Sequence, residues 1–222
     1  MGMYLNPGNS GFARIIKGNY IDKTGLISLI NERMDTEHSL ICISRPRRFG
    51  KSYAARMLCA YYDHTCDSHS LFDGYEISKD ENYTTYMNQY QVIYLDMTNL
   101  LGKTKPENLV QFIEESIEEE ILAFYPNIKK GKSFDQTLIN AVECSKKSED
   151  DTPKKFIMII DEWDAPIREI PKISEAYLNF LRMLFKSSGT TAKIFAAVYM
   201  TGILPIKKMK GQSAVSDFKE YS

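Results

Sequence analysis

The sequence predicts an α/β fold of three layers, in which helices cover both faces of a mainly parallel sheet. Apolar runs alternate with segments of helical periodicity, as they do in chains built from βαβ units. The run at residues 40–43 is apolar at every position, which is typical of a strand buried on both faces. With 222 residues, of which 43% are hydrophobic, the chain can form one substantial core. We therefore expect a single domain over residues 1–222.

The apolar pattern places each element in turn. Strands are predicted at residues 40–43, 92–95, 156–160 and 194–200, and helices at about 21–34, 51–63, 106–125, 133–147 and 174–187. Residues 64–90 are mixed and turn-rich and give no assignment, whereas residues 145–155 are predicted to form a surface loop. The last residues contain no closing element, which favours a domain truncated at its carboxyl end. The solvated side of the helix at 106–125 is predicted to carry Glu114, Glu115, Glu118, Glu119 and Glu120.

Composition excludes some classes of function. The net charge of −1 gives no general electrostatic basis for binding nucleic acid or an anionic membrane. No apolar run approaches the roughly 20 residues that span a bilayer, and the amino-terminal residues lack a secretory signal pattern. The four cysteines contain no C-x-x-C pair and are expected to be reduced thiols. The sequence thus predicts a cytoplasmic protein without a membrane partner.

The strand at 40–43 is followed by a phosphate-binding pattern. Gly50, Lys51 and Ser52 match the second half of the motif G-x-x-x-x-G-K-[ST], while Arg45 stands at the position of its first glycine. A glycine lets the backbone approach a phosphate, and the first amides of the following helix bind it. The lysine is expected to contact the β- and γ-phosphates, and the serine hydroxyl to bind Mg²⁺.

A second motif follows the strand at 156–160. Asp161 and Glu162 end this buried run, where carboxylates have little structural purpose unless the strand simply emerges into solvent. The functional interpretation is that Asp161 binds Mg²⁺ and Glu162 orients and polarises an attacking water. Because the carboxyl ends of parallel strands lie at one edge, both motifs are expected to line one crevice.

Other polar residues near these motifs are further candidates. Thr201 ends the strand at 194–200, where it could contact the attacking water or the γ-phosphate, or could be present for packing alone. Arg47 and Arg48 could bind phosphates or a partner's anion directly, or could pair with carboxylates around the loop. The sequence leaves both alternatives open.

Four segments resemble the AAA-ATPase-like family of prokaryotic proteins, which often carry a carboxyl-terminal nuclease-like domain of the PD-(D/E)XK type. The matching segments are YIDKT at 20–24, SRPRRFGKS at 44–52, IDEWDAP at 160–166 and TGILP at 201–205. They occur in the family's order and extend over almost the whole chain. The segment at 44–52 is the most specific, since arginines replace the usual glycine-rich stretch, which accounts for Arg45.

The resemblance implies a P-loop NTPase fold with an added strand between the two motif strands. It places Tyr20 and Asp22 near an adenine and leaves the role of Asp164 open; Trp163 replaces the tyrosine that is common in the family. The loop residues implied in nucleotide binding are Arg47, Arg48, Phe49, Gly50, Lys51, Ser52 and Tyr53. The family's helical lid and nuclease-like domain are expected to be missing from these 222 residues, or the lid only begun.

The function expected is Mg²⁺-dependent binding of ATP or ADP with slow ATP hydrolysis coupled to a conformational change. An N-K-x-D motif is absent after Thr201, which favours adenine over guanine. One alternative is a nucleotide-dependent switch or scaffold that hydrolyses little. Another is a DNA-associated module, suggested by the arginines at 45–48 and by the family's nuclease neighbours. A protein partner is possible in each case.

Overall fold

The core of the molecule is one parallel five-stranded sheet. A computed structural model describes residues 2–146, 152–186, 188–206 and 215–221. The strands are β1 (Leu40–Ser44), β2 (Gln91–Asp96), β3 (Phe156–Asp161), β4 (Phe195–Gly202) and β5 (Lys219–Tyr221). Their spatial order is β2-β3-β4-β1-β5, and every neighbouring pair is parallel. The strand β4 thus lies between the two motif strands β1 and β3, as the resemblance implied.

Helices cover both faces of the sheet. They are α1 (Ser10–Ile15), α2 (Gly25–Asn31), α3 (Lys51–Tyr62), α4 (His69–Phe72), α5 (Met97–Leu101), α6 (Leu109–Phe124), α7 (Phe134–Cys144), α8 (Ala165–Glu169), α9 (Ser174–Phe185) and α10 (Ser188–Ile194). Short 3-10 helices occupy Glu76–Lys79, Pro106–Asn108 and Pro171–Ile173. In the part of the chain that the structure describes, no helix combines the length and apolarity needed to cross a membrane.

Alternation along each strand divides the core into two layers. On β3, Ile157 and Ile159 pack with α1, α2 and α3, whereas Met158 and Ile160 pack with α6 and α9. Both sets are fully buried, as the unbroken apolar run predicted. Because side chains alternate at every residue, Asp161 continues the row of Ile157 and Ile159 towards α3. The α/β fold of three layers is therefore confirmed.

The predicted helix at 21–34 is too long at both ends, since α2 covers only Gly25–Asn31, and the error in its first turn has a local cause. The Asp22 carboxylate accepts hydrogen bonds from the Thr24 amide (2.8 Å) and the Thr24 hydroxyl (2.7 Å). A side chain bonded to the backbone two residues on makes a turn that competes with helix formation. The loop predicted at 145–155 lies partly outside the described residues.

The amino-terminal segment pairs with β2 at one edge of the sheet, and the short strand β5 forms the other edge. Residues 4–6 run antiparallel to β2: the Asn6 amide donates to the Val92 carbonyl at 2.7 Å, and the Tyr94 amide to the Tyr4 carbonyl at 2.8 Å. At the other edge β5 pairs with β1. The expectation that the last residues contain no closing element was wrong, because a three-residue strand with one exposed and two half-buried side chains has no apolar run to reveal it.

Two of the glutamates predicted to be solvated on α6 instead make structural contacts. Glu118 is buried, accepts a hydrogen bond from Thr137 Oγ1 at 2.8 Å and pairs with Lys130 at 2.8 Å. The Glu120 carboxylate accepts the amides of Met3 (2.8 Å), Tyr4 (3.0 Å) and Leu5 (2.7 Å). Glu120 thereby fixes the segment that protects β2, a contact over more than 110 residues that helical periodicity cannot predict.

Replacing Glu120 by Ala should release this segment, since three charge-assisted bonds to backbone amides are lost together. We expect a loss of about 1–3 kcal/mol in the free energy of unfolding and faster hydrogen exchange at residues 3–5. Denaturant unfolding and amide exchange measure the two effects. Glu119→Ala, at an exposed position of the same helix, is the matched control. Equal behaviour of the two variants would contradict the assignment.

Candidate functional site

Polar residues lie at or next to the carboxyl ends of three neighbouring strands, at one level of the sheet. The register pairs Asp96 of β2 with Asp161 of β3, and Asp161 with Thr201 of β4. On the other side of Thr201 lies Ile43 of β1, one residue before the strand ends. The loop after β1 and the acidic pair after β3 therefore lie at the same edge, separated by the width of one strand.

The loop after β1 turns into α3 through a left-handed residue. Gly50 has φ +74° and precedes the first helical residue, a conformation that glycine adopts without the strain of a Cβ. The Lys23 ammonium donates to the Phe49 carbonyl at 2.5 Å, and a Cβ at position 50 would lie 2.9 Å from this nitrogen. Arg48 also has a positive φ of 69°, which indicates backbone strain at this loop.

The Lys51 side chain is buried at the start of α3, with only 5% of its surface exposed. Its ammonium donates to the Pro46 carbonyl at 3.1 Å and lies 3.2 Å from Glu162 Oε1. Charged side chains are buried at a high cost unless they are paired. The two sequence motifs are thus joined directly by an ion pair.

Asp161 is almost fully buried beside this pair. Loss of solvation raises the pKa of its carboxyl from 3.8 to about 6; hydrogen bonding to Ser52 opposes the rise, and the charges of Asp96 and Glu162 add to it. Within the described ranges, Asp161 Oδ1 and the buried Thr201 hydroxyl have no hydrogen-bond partner. Unpaired buried oxygens are costly, so their presence favours a site built for a further ligand.

The backbone of Glu162 is strained, with φ +52°. Its carboxylate lies between two cations, with Oε1 at 3.2 Å from Lys51 and Oε2 at 3.4 Å from Arg168. A non-glycine residue in the left-handed region persists only where its surroundings require it, and such residues cluster at functional sites. In this conformation the Glu162 carboxylate reaches Lys51, the first residue of α3.

Asp164 is completely buried and holds the ends of β3 and β4 together. Its carboxylate accepts the amides of Ile203 (3.2 Å) and Leu204 (3.0 Å) and pairs with Arg168 at 2.6 Å. A Cβ on Gly202 would lie only 2.6 Å from Asp164 Oδ1, so this position requires glycine. Asp164, whose role the sequence left open, therefore fixes the polypeptide around the acidic pair.

These residues surround one open cavity of about 590 Å³. Its lining residues are Arg47, Arg48, Gly50, Lys51, Ser52, Tyr53, Asp96, Thr98, Asp161, Glu162, Arg168 and Glu169. Arg47 and Arg48 are exposed at its rim and, among the described residues, form no ion pair with a carboxylate. Phe49 and Tyr53 are more than half exposed beside it. Thr201 is buried below the cavity rather than in its lining.

A second cavity of about 420 Å³ adjoins the first through Ser52 and Tyr53, which line both. Its other walls come from α1, from Asn19 and from Arg56 of α3. Tyr20 and Asp22 lie beyond it. The Tyr20 hydroxyl donates to Met57 Sδ at 3.2 Å, and Asp22 accepts amides from Thr24 and Glu76. Both residues thus fix the segment before α2.

The sequence did not predict four lining residues of the main cavity, which are Asp96, Thr98, Arg168 and Glu169. Asp96 ends an apolar strand just as Asp161 does, which was a usable signal. Arg168 lies four residues after Asp164, the spacing of an ion pair on a helix surface, although nothing local indicated that it faces the cavity. Helix α8 was not predicted, since five residues are too few for a recognisable period.

A parallel sheet with a lysine–serine turn and an acidic pair facing one cavity defines the P-loop class of nucleotide-binding proteins. Within that class, residues 7–210 match the model of the AAA-ATPase-like family, described as a predicted AAA-ATPase. The chain belongs to this family. A comparison with curated proteins finds no match.

Replacing Asp161 by Asn should stabilise the protein at neutral pH. Because folding raises the pKa of this carboxyl, the folded state binds its proton more tightly, and stability falls as pH rises from about 3.8 to about 6. At roughly 1.4 kcal/mol for each pKa unit, the variant should gain about 2–3 kcal/mol at pH 7.5 and nothing near pH 4. Urea unfolding at both pH values measures this. A gain that persists at pH 4, or none at pH 7.5, would contradict the assignment.

Proposed function

We propose that this protein binds ATP with Mg²⁺ and hydrolyses it slowly. The observation that carries the proposal is the position of Lys51 and Ser52 opposite Asp161 and Glu162 across one cavity. The ion pair of 3.2 Å between Lys51 and Glu162 joins the two halves. The cavity's volume of about 590 Å³ lies within the usual range of small-molecule sites.

The residues present fit both groups that the proposal requires. Ser52 and Asp161 offer oxygen ligands, which Mg²⁺ prefers, and Asp161 Oδ1 has no hydrogen-bond partner in the part of the chain that the structure describes. When bound, Mg²⁺ would neutralise charge on the phosphate oxygens. Helix α3 has twelve residues, and the amino terminus of a helix attracts anions. The free amides at its start would hold the β-phosphate. Arg47 and Arg48 at the rim would add contacts with phosphate oxygens.

Hydrolysis in this site would proceed by in-line attack of water on the γ-phosphorus, which breaks the bond to the β–γ bridging oxygen and releases ADP. Glu162 would orient and polarise that water, while Lys51 would stabilise charge on the transferring group. Thr201 is buried beside Asp161 in the sheet, and its hydroxyl has no partner among the described residues, so it would contact the water or the γ-phosphate. Glu162 is paired with Lys51 and Arg168, so it would have to be released first, which would slow turnover and couple it to a conformational change.

The base would lie on the side of the second cavity. A nucleotide whose phosphates occupy the start of α3 must extend past Ser52 and Tyr53, and these residues line both cavities. Tyr20 and Asp22 support this region from behind, which fits the adenine-side role that the resemblance implies. We propose adenine as the base, since the chain lacks the N-K-x-D pattern of guanine readers.

Calorimetric titration with ATP, ADP and GTP, with and without Mg²⁺, tests the binding proposal. We expect ATP and ADP to bind in the presence of Mg²⁺, GTP to bind more weakly, and Lys51→Ala to reduce ATP affinity by at least about tenfold, because a charge-assisted contact is lost. Retained ATP affinity in Lys51→Ala would contradict the assigned site.

Phosphate release from the same preparations tests hydrolysis. Glu162→Gln should bind ATP yet lose most of its turnover, since the amide cannot accept a proton from water. Equal phosphate release from the unaltered protein, Lys51→Ala and Glu162→Gln would exclude hydrolysis at this site. ATP binding without any turnover would instead favour a nucleotide-dependent switch.

A further inference from the structure

Arg168 provides a second cation in the cavity, on the far side of Glu162 from Lys51. Its guanidinium lies 3.4 Å from Glu162 Oε2, and it belongs to the cavity lining. The side chain is 22% exposed, so it is neither free in solvent nor sealed in the core. It comes from α8, which immediately follows the acidic motif in sequence.

The guanidinium is anchored from behind. One nitrogen donates to the completely buried Asp164 at 2.6 Å, and Asp164 is itself held by the amides of Ile203 and Leu204. The other terminal nitrogen contacts Glu162 and Glu169, both of which reach the cavity. A guanidinium has enough N–H donors to keep its anchor while exchanging these partners for another anion. Its direction is therefore fixed before any ligand arrives.

The Glu162 carboxylate occupies the space between Lys51 and Arg168, with one oxygen towards each cation. An anion held between an ammonium and a guanidinium marks a position at which two positive charges converge. A terminal phosphate, like a carboxylate, presents negatively charged oxygens to both cations, and its net charge is larger. It would therefore compete with the Glu162 carboxylate for Lys51 and Arg168. Displacement of Glu162 would free it to orient water.

We propose that Arg168 is an arginine supplied within this chain that binds the γ-phosphate together with Lys51. This inference rests on the proposed function, because it assigns the terminal phosphate of the same ligand. It goes beyond that function in making Arg168 the residue that distinguishes ATP from ADP. The diphosphate lacks the group that would displace Glu162 and contact the guanidinium.

Affinities for Mg²⁺-ATP and Mg²⁺-ADP, measured by calorimetry on the whole chain, test the proposal. Arg168→Ala should weaken ATP binding by at least about tenfold, the effect of losing one charge-assisted contact, and ADP binding by less than about twofold. Arg168→Lys keeps the charge without the paired donors, so its ATP affinity should be intermediate. Turnover should fall in the same order.

Removal of Arg168 leaves the buried Asp164 without its counter-ion, so folding must be checked. Arg168→Gln retains a donor for Asp164 and should show the same selective loss of ATP affinity. Circular dichroism and the fluorescence of Trp163 show whether each variant is folded. The charge-matched control is Lys172→Ala, whose side chain is 69% exposed and lies outside both cavities. It should leave both affinities unchanged.

If the Arg168 variants lose affinity for ATP and ADP equally, Arg168 only positions Asp164, and the proposal is overturned. Unchanged affinity for both nucleotides would overturn it as well. If Lys51→Ala abolishes ATP binding while the Arg168 variants bind ATP normally, the proposed function stands and this inference fails. No nucleotide binding by the unaltered chain would overturn both.

Discussion

The site depends on one constraint, the parallel register that brings the ends of three neighbouring strands to the same level. Asp96, Asp161 and Thr201 are aligned because each strand is hydrogen-bonded to the next without a shift near this end. A slip of one residue would turn these side chains to the opposite face of the sheet. Strand β4, inserted between β3 and β1, sets the separation of the two motifs.

Around that constraint, charge is distributed unevenly. Asp164, Arg168, Glu162 and Lys51 form a continuous chain of ion pairs that compensates the burial of each member. Among the described residues Asp161 has no cation at hydrogen-bond distance, and burial raises the pKa of its carboxyl. Arg48 and Glu162, whose φ angles are positive, both line the same cavity. Stability is thus lowered locally at the cavity, as is usual where a surface is arranged for a ligand rather than for packing.

Much of the fold could be predicted because its signals are local. The fully apolar run before Asp161 identified a buried central strand, and the helix that begins at Lys51 followed from its pattern and from the glycine before it. Predictions failed where a distant partner decides the outcome. Glu118 and Glu120 look like solvated helix positions until α7 and the amino-terminal segment are brought against them. Strand β5 exists only because β1 offers an edge for pairing.

The sequence by itself determined the strand–loop–helix around Gly50, Lys51 and Ser52 and the carboxylates after β3, since covalent order and side-chain periodicity suffice to place them. Only the tertiary structure decided that Arg168 faces Glu162 and that Asp164 lies beneath them. The reason is physical: local pattern fixes which residues leave a strand or helix together, whereas contacts between distant segments depend on sheet order and register. Those features come from packing and hydrogen bonding over the whole chain.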